Sequence, residues 1–327
     1  MKPDGDAMGS SVALYHFIGM CAGHSVKIVL NDRYPDYLGF LAEDIPASDM
    51  IIWQERPVEA ETAIKDSDLV ICLDFNVFHR TDKLEQALTE SKADKVLIDH
   101  HLNPDRASFE LSFSETDISS ASELLYHILM ETGKIAHDAT MLPHRAATAL
   151  MTGMTTDTNN FANSVYPSTF TMASELIAAG VDRDMIIGKI YNRFKESRIR
   201  LQGHMLKDLM QTTPYGVAYM VLDRQTMLKY NVEEGDTEGF VNIPLTIDDI
   251  VMSIFIKEDN GYARVSIRSK KGTSANRCAR LHFHGGGHEN AAGGRLYIPE
   301  DIPTIGLAGD YIEKVTYDFI NGENEEK

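Results

Sequence analysis

The first half of the chain alternates short apolar runs with longer segments in which apolar residues recur at helical spacing. Four apolar runs predict β-strands: KIVL (27–30), DMIIW (49–53), DLVICLDF (68–75) and KVLIDH (95–100). Helical segments such as TDKLEQALTES (81–91) lie between them. Because short strands that alternate with helices form βαβ units, this pattern predicts an α/β fold built on a parallel sheet.

Three further helical stretches follow: 119–133, 143–158 and 168–180. The next segment, 182–212, is amphipathic and contains no proline, which predicts a single connecting helix. Beyond Pro214 the runs GVAYMVLD, VMSIFIKED and YARVSIRS predict the strands of another sheet. We therefore predict a parallel-sheet catalytic domain, a long linker helix and a smaller α/β domain, with a cleft between the two domains: 1–181, 182–212 and 213–327.

Composition narrows the class of protein. Hydrophobic residues make up 43% of the 327 residues and charged residues 24%, both typical of a soluble globular protein. No apolar run reaches the roughly 18 residues of a membrane helix, and no signal-peptide pattern is present. Three widely separated cysteines, Cys21, Cys72 and Cys278, favour a reducing cytoplasm. The net charge of −18 argues against a long nucleic-acid groove, and so against long DNA as a partner.

Acidic and imidazole side chains occur where predicted strands or helices end. They are Asp4 and Asp6 before an apolar helix, Asp74 after LVICL, Asp99-His100-His101 after KVLI, and Asp157 in GMTTDTNNF. Each has an ordinary alternative, because such residues also form turns, cap helices or bond local backbone. Since ligands of parallel sheets bind at the carboxyl ends of the strands, their shared placement predicts a divalent-metal site, with Mn²⁺ or Mg²⁺ favoured over Zn²⁺. Two such ions about 3.5–4 Å apart suit in-line attack on phosphorus.

Five motifs in this order resemble the DHH/DHHA1 phosphoesterases, and their spacing resembles the nanoRNase branch over nearly the whole chain. They are PDGDAMGSS (3–11), LD (73–74), DHH (99–101), TTDT (155–158) and GGGHENAAGG (285–294). The resemblance implies that a pair of divalent ions, Mn²⁺ first with Mg²⁺ or Co²⁺ as alternatives, is held by five ligands: Asp4, Asp6, Asp74, His100 and Asp157. Asp74 would bridge the ions. His101 would face the scissile phosphate as a catalytic residue, and Asp99 would orient an imidazole ring.

The chain departs from this family pattern in two places. The family has a further histidine three residues before the proline of the first motif, and counting back from Pro3 passes Met1. We therefore expect that the sequence begins late and lacks the first strand together with that histidine. Asn159 also stands where the related motif has glycine, which concerns only the geometry of that loop.

The predicted second domain carries a candidate substrate clamp. Arg268 and Ser269 end a predicted strand, and Gly285, Gly286, Gly287 and His288 follow. Consecutive glycines can expose backbone N–H groups to an anion, and arginine can hold a phosphate with two hydrogen bonds. The ordinary alternative is a flexible turn beside a surface ion pair. The resemblance implies that this domain binds the far end of a nucleotide.

The sequence thus predicts a cytoplasmic Mn²⁺-dependent phosphoesterase that removes mononucleotides from very short RNA and dephosphorylates 3′-phosphoadenosine 5′-phosphate (pAp). The expected substrates are pAp and di- to penta-nucleotides, with no membrane partner and with a homodimer as one oligomeric state. Cyclic di-AMP or pApA, and polyphosphate or pyrophosphate, are the alternative substrates of the same chemistry. A nucleotide-binding module without turnover is the alternative from another class.

Overall fold

The computed structural model describes residues 3–233 and 235–325, apart from the side chains of His288 and residues 323–325. The chain divides into two compact units, Met1–Arg193 and Phe194–Lys327. No helix among the described residues combines the length and the apolar character that a bilayer crossing requires.

The first unit is an α/β unit with parallel strands, as the alternating pattern predicts. Its strands are β1 (Ile28–Leu30), β2 (Met50–Ile52), β3 (Leu69–Leu73), β4 (Asp94–Asp99) and β5 (Leu111–Ser114). Its helices are α1 (Gly5–Gly19), α2 (Pro57–Lys65), α3 (Glu85–Glu90), α4 (Ala121–Met130), α5 (His144–Asp157), α6 (Pro167–Ala178) and α7 (Arg183–Ile190). β1 pairs with β2, and β3, β4 and β5 form a separate three-stranded sheet; all these pairs are parallel. The four predicted strands are confirmed, whereas β5 was not predicted.

The main core of the first unit lies between its helices and the inner residues of its strands. Met8, Leu125, Leu150 and Met154 are fully buried or nearly so, and they belong to α1, α4 and α5. Burial of such side chains contributes about 1.5–3 kcal/mol each, so these three helices form the best-anchored part of the unit. All three also carry or contact residues of the candidate site.

The second unit is built on one six-stranded sheet. Its strands are β6 (Gln211–Thr212), β7 (Val217–Leu222), β8 (Met252–Glu258), β9 (Tyr262–Ser269), β10 (Gly286–His288) and β11 (Ala291–Tyr297). Its helices are α8 (Glu196–His204), α9 (Arg224–Lys229), α10 (Ala275–His282) and α11 (Ala308–Glu325). The strand order is β10-β11-β9-β8-β7-β6, with β7 and β8 parallel and the other pairs antiparallel.

The prediction of one linker helix over 182–212 is wrong. α7 ends at Ile190, α8 begins at Glu196, and a short π-helical turn at Met205–Leu209 precedes β6. The two helices serve different cores: Ile190 of α7 is buried in the core of the first unit, whereas Leu201 of α8 is buried with residues of the second. Amphipathic spacing alone did not reveal this change of partner.

Candidate metal centre

Two candidate ligands lie at the carboxyl ends of neighbouring parallel strands. β3 and β4 pair with Leu73 opposite Ile98, so the residues that follow them lie at the same edge of the sheet. Asp74 has a φ of 63°, in the left-handed region, and its N–H donates to the carbonyl of Ile98 (3.1 Å). Aspartate tolerates this conformation better than most residues, and the turn directs the chain away from the sheet directly after Asp74. His100 follows the last residue of β4.

Asp6 is fixed by the amino-terminal end of another helix. The N–H of Ala121 donates to Asp6 Oδ2 (2.6 Å) and the N–H of Ser122 donates to Oδ1 (2.9 Å). These are among the backbone donors that the first turn of a helix leaves unsatisfied, and the helix dipole favours a negative charge there. Asp6 is only 1% exposed, and these two N–H donors fix the orientation of its carboxyl group.

A close crossing of α1 and α5 places Asp157 near Asp6. A Cβ added at Gly9 would lie 2.6 Å from the carbonyl oxygen of Ala149 and 2.8 Å from Gly153 Cα. One added at Gly153 would overlap Ser122 Oγ and lie 2.9 Å from Asp6 Oδ1. Only glycine fits at both positions, because the helix backbones approach within the space that a side chain would occupy. Asp157 ends α5 one turn beyond Gly153.

His100 lies between three carboxylates. Its Nε2 atom is 3.9 Å from Asp6 Oδ2, 3.6 Å from Asp74 Oδ1 and 3.5 Å from Asp157 Oδ2. Two groups of donor atoms share this histidine: Asp6, His100 and Asp157 form one, and Asp74, His100 and His101 form the other. Within each group the donor atoms all lie within 4.8 Å of one another.

Asp4 lies outside both groups. Its Oδ1 accepts hydrogen bonds from the N–H groups of Asp6 (3.1 Å) and Ala7 (3.0 Å), so it is the N-cap of α1. This is one of the ordinary roles weighed for it from the sequence. Its assignment as a metal ligand stays a prediction.

The carboxylates of the site repel one another. Burial raises the pKa of Asp74 well above its usual range, and the charge of Asp6 adds to the effect. Burial and then the charge of Asp6 raise the pKa of Asp157 to about 7, against an opposing effect of His100. Burial also raises the pKa of Asp6, although hydrogen bonds from Ser122 and the charge of His100 oppose it.

These donors fit divalent cations. Among residues 3–233 and 235–325, no lysine or arginine forms an ion pair with Asp6, Asp74 or Asp157. Asp6 and Asp74 are buried, whereas Asp157 is exposed. Buried carboxylates are costly unless they bind a cation, and oxygen ligands with one or two imidazole nitrogens suit Mn²⁺ or Mg²⁺ better than a soft metal. His100 belongs to both donor groups, as a ligand between two adjacent ions would.

Asp99 and His101 form a second arrangement beside these groups. Asp99 is fully buried; its Oδ1 lies 2.8 Å from His101 Nδ1, and its Oδ2 accepts the backbone N–H of His101 (2.9 Å). In this geometry a carboxylate holds an imidazole ring in one orientation. One side chain that sequence reasoning missed also contacts the ring: Arg80 Nη2 lies 3.3 Å from His101 Nε2. Its only sequence signal is a basic residue in the loop that follows a strand ending in aspartate.

The residues of the predicted clamp lie in the second unit. Arg268 is half-buried on β9, where its Nη1 donates to the carbonyl of Ile267 (2.9 Å), and burial lowers its pKa. Ser269 already has local partners: its Oγ donates to the carbonyl of Thr273 (2.6 Å) and accepts from Asn290 Nδ2 (3.0 Å). The side chain of His288 lies outside the described residues.

The glycine triplet forms an edge strand rather than an open nest. Gly286 pairs with Gly293 in the β10–β11 hairpin, and a Cβ at Gly285 would overlap the carbonyl oxygen of Gly293. The N–H of Gly285 donates to the carbonyl of Ala279 (3.2 Å), and that of Gly287 donates to Asn276 Oδ1 (3.0 Å). These two amides are therefore satisfied within the protein, and the expectation of a nest built from them is corrected.

Family profiles match both units. The DHH family, N-terminal domain, matches residues 1–154, and the DHHA1 domain matches residues 213–306. A Streptococcus mutans protein described as a probable bifunctional oligoribonuclease and PAP phosphatase, NrnA, is 30% identical over 304 residues, which cover 91% of this chain and 87% of that protein. The Bacillus subtilis bifunctional oligoribonuclease and PAP phosphatase NrnA is 26% identical over 93% of this chain and 90% of its own length.

A solved structure is similar over the full chain. The crystal structure of an exopolyphosphatase-related protein from Bacteroides fragilis superimposes with a TM-score of 0.87 at 34% identity, covering 99% of this chain and 91% of that one.

Proposed function

Because the chain belongs to the DHH/DHHA1 phosphoesterase family, we propose that it hydrolyses very short oligoribonucleotides and pAp with the help of two divalent cations, Mn²⁺ first. The observation that carries this proposal is the position of His100 in the first unit, whose Nε2 lies within 4 Å of carboxylate oxygens of Asp6, Asp74 and Asp157. The relatives of Streptococcus mutans and Bacillus subtilis support the substrate class. Three free cysteines are compatible with a reducing compartment, and we propose the cytoplasm.

The carboxylates Asp6, Asp74 and Asp157 and the imidazole of His100 would hold the cations, with Asp74 as the bridging ligand and Asp4 as a further one. When bound, divalent cations supply charge neutralisation at the phosphoryl oxygens and activation of water as a nucleophile. The protein's own contribution is rigidity, because the Asp6 carboxylate is already oriented by two helix amides before any ligand enters. Preorganisation of this kind avoids a reorganisation cost during the reaction.

The second unit would hold the remainder of the nucleotide. Arg268 has a guanidinium that can bind a phosphate through two parallel hydrogen bonds, and its burial strengthens such a contact. A ligand of a few nucleotides needs no extended basic track, which is compatible with a net charge of −18. Ser269, Gly286 and His288 are the other residues of the proposed clamp.

Polyphosphate is a second candidate substrate, because the Bacteroides fragilis protein is described as exopolyphosphatase-related. Purified protein loaded with Mn²⁺ should be assayed against pAp, a three-nucleotide RNA, cyclic di-AMP and polyphosphate. We expect turnover of pAp and of the RNA. Cleavage of polyphosphate alone would refute the nucleotide proposal, and no turnover with tight nucleotide binding would favour a binding module.

The two aspartates that flank β3 offer a matched pair of variants. Asp74→Asn removes the proposed bridging carboxylate after the end of β3, whereas Asp68→Asn changes an exposed aspartate just before its start. We expect Asp74→Asn to abolish both turnover and Mn²⁺ binding in calorimetry, and Asp68→Asn to leave both unchanged. Retained turnover in Asp74→Asn would remove the metal centre from the mechanism.

A further inference from the structure

The hydrogen bonds of His101 connect a carboxylate to a guanidinium. Arginine has only donors, so Arg80 Nη2 donates to His101 Nε2 (3.3 Å). A carboxylate accepts, so His101 Nδ1 donates to Asp99 Oδ1 (2.8 Å). Arg80 therefore donates to His101 and His101 donates to Asp99, in one hydrogen-bonded series.

That guanidinium has no carboxylate partner among the described residues, although the neighbouring centre is rich in aspartates. In the same segment Lys83 differs, because its Nζ lies 3.8 Å from Asp82 Oδ1. Arg80 is half-buried, and its side-chain contact uses one nitrogen, Nη2, against an imidazole rather than a carboxylate, so its charge stays available to an anion.

The backbone around Arg80 is anchored. Its segment, Phe78–Leu84, is 3-10 helical with a kink at Asp82 (φ 52°), and the Phe78 ring packs edge-on against Phe109 with centroids 5.3 Å apart. Thr81 Oγ1 donates to the carbonyl of Phe78 (2.6 Å), and the N–H of Lys83 donates to Asn31 Oδ1 (3.1 Å). A charge held by a rigid turn can stabilise an anion without reorganisation.

We propose that Arg80 binds the phosphoryl group under attack and that Asp99 and His101 are positioning residues that hold Arg80 in place. The proposal rests on the proposed phosphoesterase function and names the cation that meets the substrate in the first unit. The ligand class is a nucleotide phosphate, whose oxygens match the planar fork of guanidinium donors. It changes the role expected for His101: in the free protein its Nε2 faces the guanidinium, so it acts through Arg80.

The test compares Arg80→Gln and Arg80→Lys with Lys83→Gln, a control in the same turn whose exposed ammonium is already paired. We expect Arg80→Gln to lower kcat/KM for pAp and for a three-nucleotide RNA by about 10²-fold or more, as for the loss of a preorganised donor. Inhibition by inorganic phosphate should weaken by about tenfold, as for the loss of one charged hydrogen bond. Arg80→Lys should recover part of both, while Mn²⁺ affinity stays unchanged in all three variants.

The positioning role has its own readout. If His101 acts through Arg80, His101→Gln and Arg80→Gln should be non-additive, and the double variant should be no slower than the slower single one. Losses that multiply would overturn the positioning role, and wild-type values for Arg80→Gln would overturn the phosphate contact. If the wild type hydrolyses no substrate, the proposed function fails. Calorimetric binding of inorganic phosphate to the Mn²⁺-loaded protein would still test Arg80. Equal phosphate affinity in Arg80→Gln and Lys83→Gln would reject the phosphate contact.

Discussion

The helix crossing beneath the candidate centre can be tested by adding one methyl group. Gly153→Ala places a Cβ that would overlap Ser122 Oγ and lie 2.8 Å from Ser122 Cβ and 2.9 Å from Asp6 Oδ1. A rotamer change of Ser122 cannot relieve the contact, because its Cβ moves only with the backbone. α5 must therefore shift away from α1 and α4, and the Asp6 carboxylate must shift with its amide donors.

Two opposing effects decide the sign of the stability change. Replacing glycine by alanine inside a helix normally stabilises by about 1 kcal/mol, because alanine loses less backbone entropy. Overpacking a filled interior costs about 1–3 kcal/mol. We expect the overpacking to prevail at Gly153, with a net loss of up to about 2 kcal/mol, or roughly 2–4 °C in Tm per kcal/mol for a unit of this size. Displacement of Asp6 should also weaken Mn²⁺ binding by about 10–100-fold.

Gly188→Ala is the matched control, since Gly188 lies within α7 of the same unit and nothing lies within 4 Å of its added Cβ. Calorimetric unfolding and Mn²⁺ titration of both variants would show the contrast. Gly188→Ala should raise Tm slightly and keep wild-type Mn²⁺ affinity. A Gly153→Ala protein that is stabilised like the control and binds Mn²⁺ normally would refute the role assigned to the crossing.

Three further predictions follow from the two units. Asp157 has a pKa of about 7 in the folded protein against about 3.9 in the unfolded chain, so the metal-free protein should lose stability as pH rises from about 4 to about 7. Asp157→Asn should therefore be more stable than wild type at about pH 8 but not below about pH 4. Parallel curves of Tm against pH for the two proteins would contradict this. Arg268→Gln should raise KM for pAp more than it lowers kcat, whereas Arg264→Gln, an exposed arginine on the same strand paired with Asp259, should change neither in steady-state assays. Asp4→Ser keeps an N-cap but removes a carboxylate, so Tm should hold while Mn²⁺ affinity falls; unchanged affinity would leave Asp4 as a cap only.

The sequence contained enough to predict the strand-end residues. Asp74 and His100 each follow an apolar run, and parallel pairing of two such runs brings their ends to one edge whatever the details of packing. The pattern of element ends also offered Asp6 and Asp157, the motif resemblance implied that they are ligands, and the structure brings both within 4 Å of His100 Nε2. These inferences needed only local patterns and the geometry of parallel strands.

What sequence could not provide depends on contacts between distant segments. The amides that hold Asp6 are 115 and 116 residues away, and nothing local in SSASE distinguishes them from an ordinary helix start. The glycines at 285–287 suggested an anion nest, but Gly293 and Gly294 lie opposite and allow a tight hairpin instead. The prediction of one helix over 182–212 was wrong for the same reason, because its two helical parts bury their apolar residues in different cores.

In the first unit, the groups that stabilise the buried Asp6 differ from the cations that would bind the substrate. The fold satisfies Asp6 with helix amides, which lower the cost of its burial, and it provides no lysine or arginine to Asp6, Asp74 or Asp157 among the described residues. An arginine beside Asp74 or Asp157 would make the metal-free protein more stable but would compete with a cation for the same oxygens. The guanidinium of Arg80 instead contacts the imidazole of His101. Under the proposed occupancy, two divalent cations balance the charges of Asp4, Asp6, Asp74 and Asp157, so a protein of net charge −18 would present a locally neutral centre to phosphate, with the guanidinium of Arg80 close by.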